Sequence, residues 1–365
     1  MIDADLFRGL LQQAGIDWFA GVPDSLLADL APIDADIVTA NEGSAIALAA
    51  GHHLATGKIG CVYLQSSGLG NAVNPLLSLA DIEVYAIPML LIIGWRGAPG
   101  EHDEPQHAAE GRTLVRLLAA LDIPAEELEA TPEAARRCLA RAVQSLQDRS
   151  APHALIVRRG TFTPRKRAPE ATQSNSFTRE RAIELVTAAA GEDLIVCTTG
   201  MASRELFELR QRKGQTHARD FLNSGAMGHA SQIALGMAMA RPSLRVWVID
   251  GDGAALMHLG GLALIGARAP ANLRHVLINN GVHASVGGQP TAAPALDFSA
   301  VAKACGYQVA LKAESEHASR EALSRLAGES GPSLLELRIG PGRRADLGRP
   351  SLSPAELKRL LDMSS

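Results

Sequence analysis

Two α/β domains, each a mostly parallel sheet flanked by helices, are predicted by three observations. Short apolar runs alternate with helix-like segments along the whole chain. One break in composition, residues 161–176, separates a first half from a second. A chain of 365 residues that is 47% hydrophobic holds enough apolar side chains for two cores.

The runs Cys-Val-Tyr-Leu (61–64), Met-Leu-Leu-Ile-Ile (89–93) and Ala-Leu-Ile-Val (154–157) are too short for helices. They lack polar alternation, so they read as strands buried on both faces. The second half repeats the pattern at Leu-Ile-Val-Cys (194–197), Arg-Val-Trp-Val-Ile-Asp (245–250) and His-Val-Leu-Ile (275–278). Between the halves, proline and clustered charge give way to Ala-Thr-Gln-Ser-Asn, the composition of a linker. The expected division is therefore 1–160, a linker at 161–176, and 177–365.

Composition excludes some partners. The net charge is −4 with acids and bases interspersed, so neither nucleic acid nor an anionic membrane surface is expected. Cys61, Cys138, Cys197 and Cys305 lie far apart in apolar contexts, as reduced core thiols do. No apolar run reaches the roughly 18 residues of a spanning helix, and the first residues lack the basic-then-apolar pattern of an export signal. A cytoplasmic protein is expected.

Two places carry chemistry. Gly251-Asp252-Gly253 follows one strand and Asn279-Asn280 ends the next, with residues 254–278 leaving room for one helix and one strand. The glycines allow a sharp turn and close approach of an anion to a helix start, while Asp252 and Asn280 are hard oxygen ligands of the kind Mg²⁺ takes. Alone, Gly-Asp-Gly is also an ordinary strand-turn-helix. In the first half, Glu42 heads a helix of small apolar residues, where burial disfavours a free carboxylate. By itself it also reads as an acid placed well at a helix N-terminus.

Further segments stand beside these motifs: Gly-Val-Pro-Asp-Ser-Leu-Leu (21–27), Asn-Glu-Gly (41–43), Gly-Leu-Gly-Asn-Ala-Val-Asn (68–74), Pro-Met-Leu-Leu-Ile-Ile-Gly-Trp-Arg-Gly (88–97), Asp-Glu-Pro-Gln-His (103–107), Thr-Thr-Gly-Met (198–201), Ser-Arg-Glu-Leu-Phe (203–207) and Asn-Asn-Gly-Val-His-Ala-Ser-Val-Gly-Gly-Gln-Pro-Thr (279–291). Over nearly its whole length the chain thus resembles the phosphonopyruvate decarboxylase family of thiamin diphosphate (ThDP) enzymes. The resemblance implies a pyrimidine-binding domain followed by a diphosphate- and Mg²⁺-binding domain. It implies decarboxylation of 3-phosphonopyruvate to phosphonoacetaldehyde and CO₂, a step of phosphonate biosynthesis, by a homodimer or higher homo-oligomer.

Carried over by residue, the resemblance makes Glu42 the partner of N1′ of the aminopyrimidine. Asp252, Asn280 and the carbonyl of Val282 become the Mg²⁺ ligands. Thr199, Gly251, Gly253 and Ala254 approach the diphosphate, and Met227 is the apolar wedge beneath the bent cofactor; alone it reads as a gap-filling core methionine. Arg96 and His107 bracket a loop, 97–106, placed to meet the distal anion of a small anionic 2-oxo acid. His102, His229, His283, Ser285 and Gln289 are further substrate candidates, with Arg96, His107 and His283 also candidates for catalysis. Each histidine taken alone also fits a structural role, and His52 and His53 read as packing or surface residues.

Three positions depart from the family pattern. Ala284 stands where Asp is usual, His102 where Lys is usual and Ser66 where Asn is usual. They leave the ThDP assignment intact and bear on the substrate's head group, with a sulfopyruvate decarboxylase as the near alternative. A non-catalytic ThDP-binding subunit is the alternative from another class, and retention of Glu42, Asp252 and Asn280 argues against it. A Mg²⁺-dependent nucleotide-binding protein would need a phosphate loop or P-loop lysine, and neither is evident.

Overall fold

In the computed structural model, apolar runs buried at nearly every position build the central strands of both sheets. The structure describes residues 1–165, 177–342, 344 and 346–364. The chain divides into two compact units, Met1–Ala168 with Val286–Gln289, and Pro169–Ser285 with Pro290–Ser365. Of the expected linker, residues 166–176 lie outside the described residues.

The first unit contains strands β1 (Phe19–Gly21), β2 (Ile37–Val38), β3 (Gly60–Gln65), β4 (Met89–Gly94), β5 (Ala125–Glu127) and β6 (His153–Val157). They form one sheet in the order β2-β1-β3-β4-β6-β5, and every pairing is parallel. Cys61, Tyr63, Leu90, Ile92, Leu155 and Val157 point to one face, against helices Ala4–Gln13 and Pro132–Arg149. Val62, Leu64, Leu91, Ile93, Ala154 and Ile156 point to the other, against Glu42–Thr56, Leu69–Pro75 and Pro105–Ala120. Both faces are therefore dry, which is why these strands read as unbroken apolar runs.

The second unit contains β7 (Leu194–Cys197), β8 (Asp220–Leu222), β9 (Val246–Gly251), β10 (Leu273–Asn279), the two-residue strand β11 (Val282–His283), β13 (Val309–Ala313) and β14 (Ser333–Arg338), and the two-residue β12 (Gln289–Pro290) falls where the division between the units is drawn. Its main sheet runs β13-β14-β10-β9-β7-β8, again all parallel. Counted within each unit, the two sheets have the same strand order. No helix among the described residues is long and apolar enough to cross a membrane.

Ligands of such sheets collect beyond the carboxyl ends of the strands, at the point where the order of connection reverses. In the second unit that point lies between the neighbouring strands β7 and β9. Thr198 and Thr199 follow β7, and Asp252 opens the helix Asp252–Met257 directly after β9.

A buried acid ties β14 to β10. Glu336 is fully buried, and its Oε1 accepts from Asn279 Nδ2 at 2.9 Å and Arg338 Nε at 2.9 Å, while Oε2 accepts from the Phe298 backbone at 3.2 Å. Glu336→Leu should therefore lower stability by about 2–4 kcal/mol, since it strands buried donors. Urea unfolding of the purified protein measures this, and an unchanged midpoint would contradict it.

Candidate active site

Glu42 is held at the first position of its helix because Asn41 caps it, Asn41 Oδ1 accepting from the Ser44 backbone at 2.9 Å. The Glu42 side chain is only 3% exposed, and Asn71 Nδ2 donates to its Oε2 at 2.8 Å. Burial pushes its carboxyl above the ordinary range, with the Asn71 bond opposing. Gly68 makes room for this arrangement: a Cβ there would stand 2.1 Å from Glu42 Oε1.

Arg96 follows β4, and Asp103 occupies its guanidinium. Nε donates to Asp103 Oδ2 at 2.7 Å and Nη2 to Oδ1 at 2.6 Å, while Nη1 donates to Ser25 Oγ at 3.1 Å. Burial raises the Asp103 carboxyl, but Arg96 and the backbone N–H groups of Glu104 and Gly97 outweigh it and hold the group well below the carboxylate range. The cation expected to await a distal anion thus already has a carboxylate partner. The loop is also shorter than expected: helix Pro105–Ala120 begins before His107, which sits in its first turn with Nδ1 3.2 Å from Glu110 Oε2. His102 is exposed on the loop.

In the second unit, Asp252 is buried and accepts from Thr291 Oγ1 at 2.6 Å and from the backbone of Gly253 and Asn280. Burial raises its carboxyl, and the donors opposing that shift are neutral. Asn280 Oδ1 accepts from the Val282 backbone at 3.2 Å, and the Val282 carbonyl accepts from Ala284 N at 3.0 Å. Each of these oxygens has a second lone pair. The loop after β10 therefore brings Asn280 to Asp252, with Val282 bonded to the Asn280 side chain. His283 packs its ring on the backbone of Gly253, where a Cβ would stand 2.9 Å from Cε1, and burial pushes its imidazole down to about 4.

Thr199 turns its hydroxyl to the Ser224 carbonyl at 2.9 Å, whereas the buried Thr198 Oγ1 has no hydrogen-bond partner among the described residues. Gly251 ends β9, and Ala254 lies in the helix that Asp252 opens. Ser285 comes near Gly200, where a Cβ would lie 3.9 Å from Ser285 Cβ. Met227 is 38% exposed, and His229 stacks on His258. Gln289 lies in β12, and its Oε1 is unpartnered among the described residues.

The N-terminal TPP binding domain of thiamine pyrophosphate enzymes matches residues 3–114, and the C-terminal TPP binding domain matches residues 198–337. The chain is 38% identical to a phosphonopyruvate decarboxylase of Streptomyces viridochromogenes, over 98% of this chain and 93% of the relative. It is 39% identical to one of Streptomyces hygroscopicus over the same shares. A sulfopyruvate decarboxylase of Methanosarcina acetivorans is 27% identical over 91% of this chain and 90% of the relative. The chain belongs to the phosphonopyruvate decarboxylase family of ThDP enzymes.

ThDP and Mg²⁺ suit the residues of this family member. Asp252 is a desolvated carboxyl group with neutral donors, and with the Asn280 and Val282 oxygens it would offer the hard donors that Mg²⁺ takes. Glu42 is an acid whose protonated form burial favours, and Gly68 keeps Oε1 uncrowded. Three groups escaped the sequence reading. Asn71 and Thr291 stood inside quoted segments, but their distance in sequence hid the contacts with Glu42 and Asp252. Asp24, in Gly-Val-Pro-Asp, is fully buried after β1. Gln65 Nε2 donates to its Oδ1 at 2.7 Å, Oδ2 has no hydrogen-bond partner among the described residues, and burial raises its carboxyl.

The Glu42 shift has a testable sign. A raised acid keeps its proton in the folded state after the unfolded chain has released it, so stability falls as pH rises from about 4.5 to the raised value and stays low above it. Across that window the wild type should lose up to about 1.4 kcal/mol per pH unit relative to Glu42→Gln. Urea unfolding of both cofactor-free proteins from pH 4.5 to 8 measures the difference; parallel pH profiles would contradict it.

Proposed function

We propose that this chain is a ThDP- and Mg²⁺-dependent decarboxylase that converts 3-phosphonopyruvate to phosphonoacetaldehyde and CO₂ in phosphonate biosynthesis. The observation that carries this reading is likeness to two phosphonopyruvate decarboxylases over nearly the full length of both partners. Residues 1–160 serve as the pyrimidine-binding domain, 161–176 as linker and 177–365 as the diphosphate-binding domain.

When bound, ThDP supplies a thiazolium carbon that adds to the keto group and takes up the electrons released with CO₂. Glu42 holds a proton on Oε1 for the aminopyrimidine ring, since Asn71 already bonds Oε2. Asp252, Asn280 and the Val282 carbonyl hold Mg²⁺, and Thr291 orients the Asp252 carboxylate for it. Gly251, Gly253, Ala254 and Thr199 let backbone approach the diphosphate, and Met227 wedges beneath the cofactor. His283, kept neutral by burial, offers a ring nitrogen beside Gly253 for proton exchange with the substrate, and His107, in the first turn of its helix, is a second candidate for that role. His102, His229, Ser285 and Gln289 line the approach of the substrate.

The smallest active unit is a twofold homodimer. Free cysteines and the absence of a spanning helix among the described residues accord with a cytoplasmic location. A second reading, sulfopyruvate as substrate, is favoured by the sulfopyruvate decarboxylase relative, and the departures at Ser66, His102 and Ala284 bear on the same head group.

Because Asp103 fills one side of the Arg96 fork, Arg96 meets the distal anion through Nη1, the arm turned to Ser25. The purified protein with ThDP and Mg²⁺ should show its highest kcat/KM with phosphonopyruvate among phosphonopyruvate, sulfopyruvate and pyruvate. Arg96→Ala should reduce that value by about 1.5–3 kcal/mol, the scale of a charged hydrogen bond, and should affect pyruvate less. A preference for pyruvate, or equal losses on all three, would contradict the distal-anion reading; a preference for sulfopyruvate would keep the chemistry and change the head group.

A further inference from the structure

Residues 226–229 form a tight turn, closed by the His229 backbone donating to the Ala226 carbonyl at 3.2 Å, with Gly228 at φ +81°. The turn is braced from below by Asn223, whose Nδ2 donates to the Ala226 carbonyl at 2.8 Å. It sits directly on the helix Asp252–Met257. A Cβ at Gly228 would stand 2.7 Å from His258 Cδ2, 2.8 Å from the Ala254 carbonyl oxygen and 3.0 Å from Met257 Cβ. Only glycine allows that approach, and its sign of φ favours glycine as well.

His258 caps the C-terminal end of this helix, and its ring lies parallel to that of His229, centroids 4.2 Å apart and planes 18° apart. His258 Nε2 is buried with no hydrogen-bond partner among the described residues, so the ring face, not this nitrogen, makes the contact. Burial and the neighbouring His229 both hold the His258 imidazole below its ordinary range, which favours the neutral ring that stacks best.

We propose that His258 is a positioning residue: stacked on His229, it clamps the 226–229 turn, and Met227 with it, onto the diphosphate helix. This rests on the reading of Met227 as the cofactor wedge. The helix that opens with Asp252 and the turn that carries Met227 would then move as one body, so that metal site and wedge keep a fixed spacing. His258 itself touches neither substrate nor cofactor in this assignment; it acts through the turn.

The test uses the full chain with His258→Ala, His258→Phe, Met227→Ala and the Ala/Ala double variant. ThDP affinity of the cofactor-free protein is titrated by fluorescence in Mg²⁺, alongside kcat, KM and the melting temperature without cofactor. His258→Ala should raise the Kd for ThDP and lower kcat, each by roughly 3- to 10-fold, the range of one aromatic pair. KM and melting temperature should change little. His258→Phe should restore both values to within about 2-fold of wild type, since it returns the ring. In the Met227→Ala background, adding His258→Ala should cause no further loss of kcat. Wild-type Kd and kcat in His258→Ala would overturn the proposal, as would a His258→Phe variant as impaired as alanine. Additive losses with an impaired Met227→Ala would overturn the clamp alone, whereas unchanged turnover in Met227→Ala would overturn the wedge reading. If the alanine variant does not fold, His258→Gln, of similar length but ringless, is expected to behave as described for alanine and decides in its place.

Discussion

Burial of carboxyl groups at the carboxyl ends of parallel strands is the constraint on which the rest of this structure depends. Glu42 and Asp252 both sit where side chains are dry, and both are pushed toward the protonated state by desolvation. A fold tolerates such groups only where hydrogen bonds or a ligand compensate them. Asn71 compensates Glu42 in part, and Thr291 with backbone N–H groups compensates Asp252 in part. On the proposed function, the remainder of each demand has a different remedy: Glu42 favours its protonated form in one unit, and Asp252 would take a cation in the other.

The two sheets share a strand order, yet they use it differently. In the second unit, the crevice between β7 and β9 receives the Gly-Asp-Gly turn, and the loop after β10 closes on it with Asn280, Val282 and His283. In the first unit, the same positions carry Asp24 after β1 and Gln65 at the end of β3, while Glu42 comes from the head of a helix. One topology therefore presents a buried acid directly after a strand of the sheet in one copy, Asp252, and buried acids after β1 and at a helix head in the other, Asp24 and Glu42. The difference lies in loop residues, as expected when a repeated scaffold hosts separate parts of one chemistry.

Strands with continuous apolar runs were legible in the sequence because burial on both faces removes polar alternation; β3, β4, β6, β7, β9 and β10 are of this kind. The short strands β1, β2, β5 and β8 escaped, since two or three residues leave no periodic signal. β14 escaped for another reason. Its run of leucines is broken by Ser333 and Glu336, polar residues that are nevertheless fully buried and, for Glu336, fully bonded. The positions of Glu42 at a helix head and Asp252 after β9 were legible from motif and capping chemistry. The Arg96–Asp103 fork was not, although both residues stood in quoted segments, because local sequence does not say that a loop of this length folds back on itself. The His229–His258 stack was hidden likewise: two histidines far apart in sequence carry no signal until the turn and the helix are packed.

On the proposed function, desolvation favours the protonated form of Glu42, which serves the cofactor rather than the fold. Turnover of Glu42→Gln, saturated with ThDP and Mg²⁺, tests it most directly. The amide still accepts from Asn71 and fills the space beside Gly68, so ThDP should bind within a few-fold of wild type. It cannot give or take the proton, so kcat should fall by at least about 10²-fold. A variant that binds ThDP and turns over at the wild-type rate would contradict the claim.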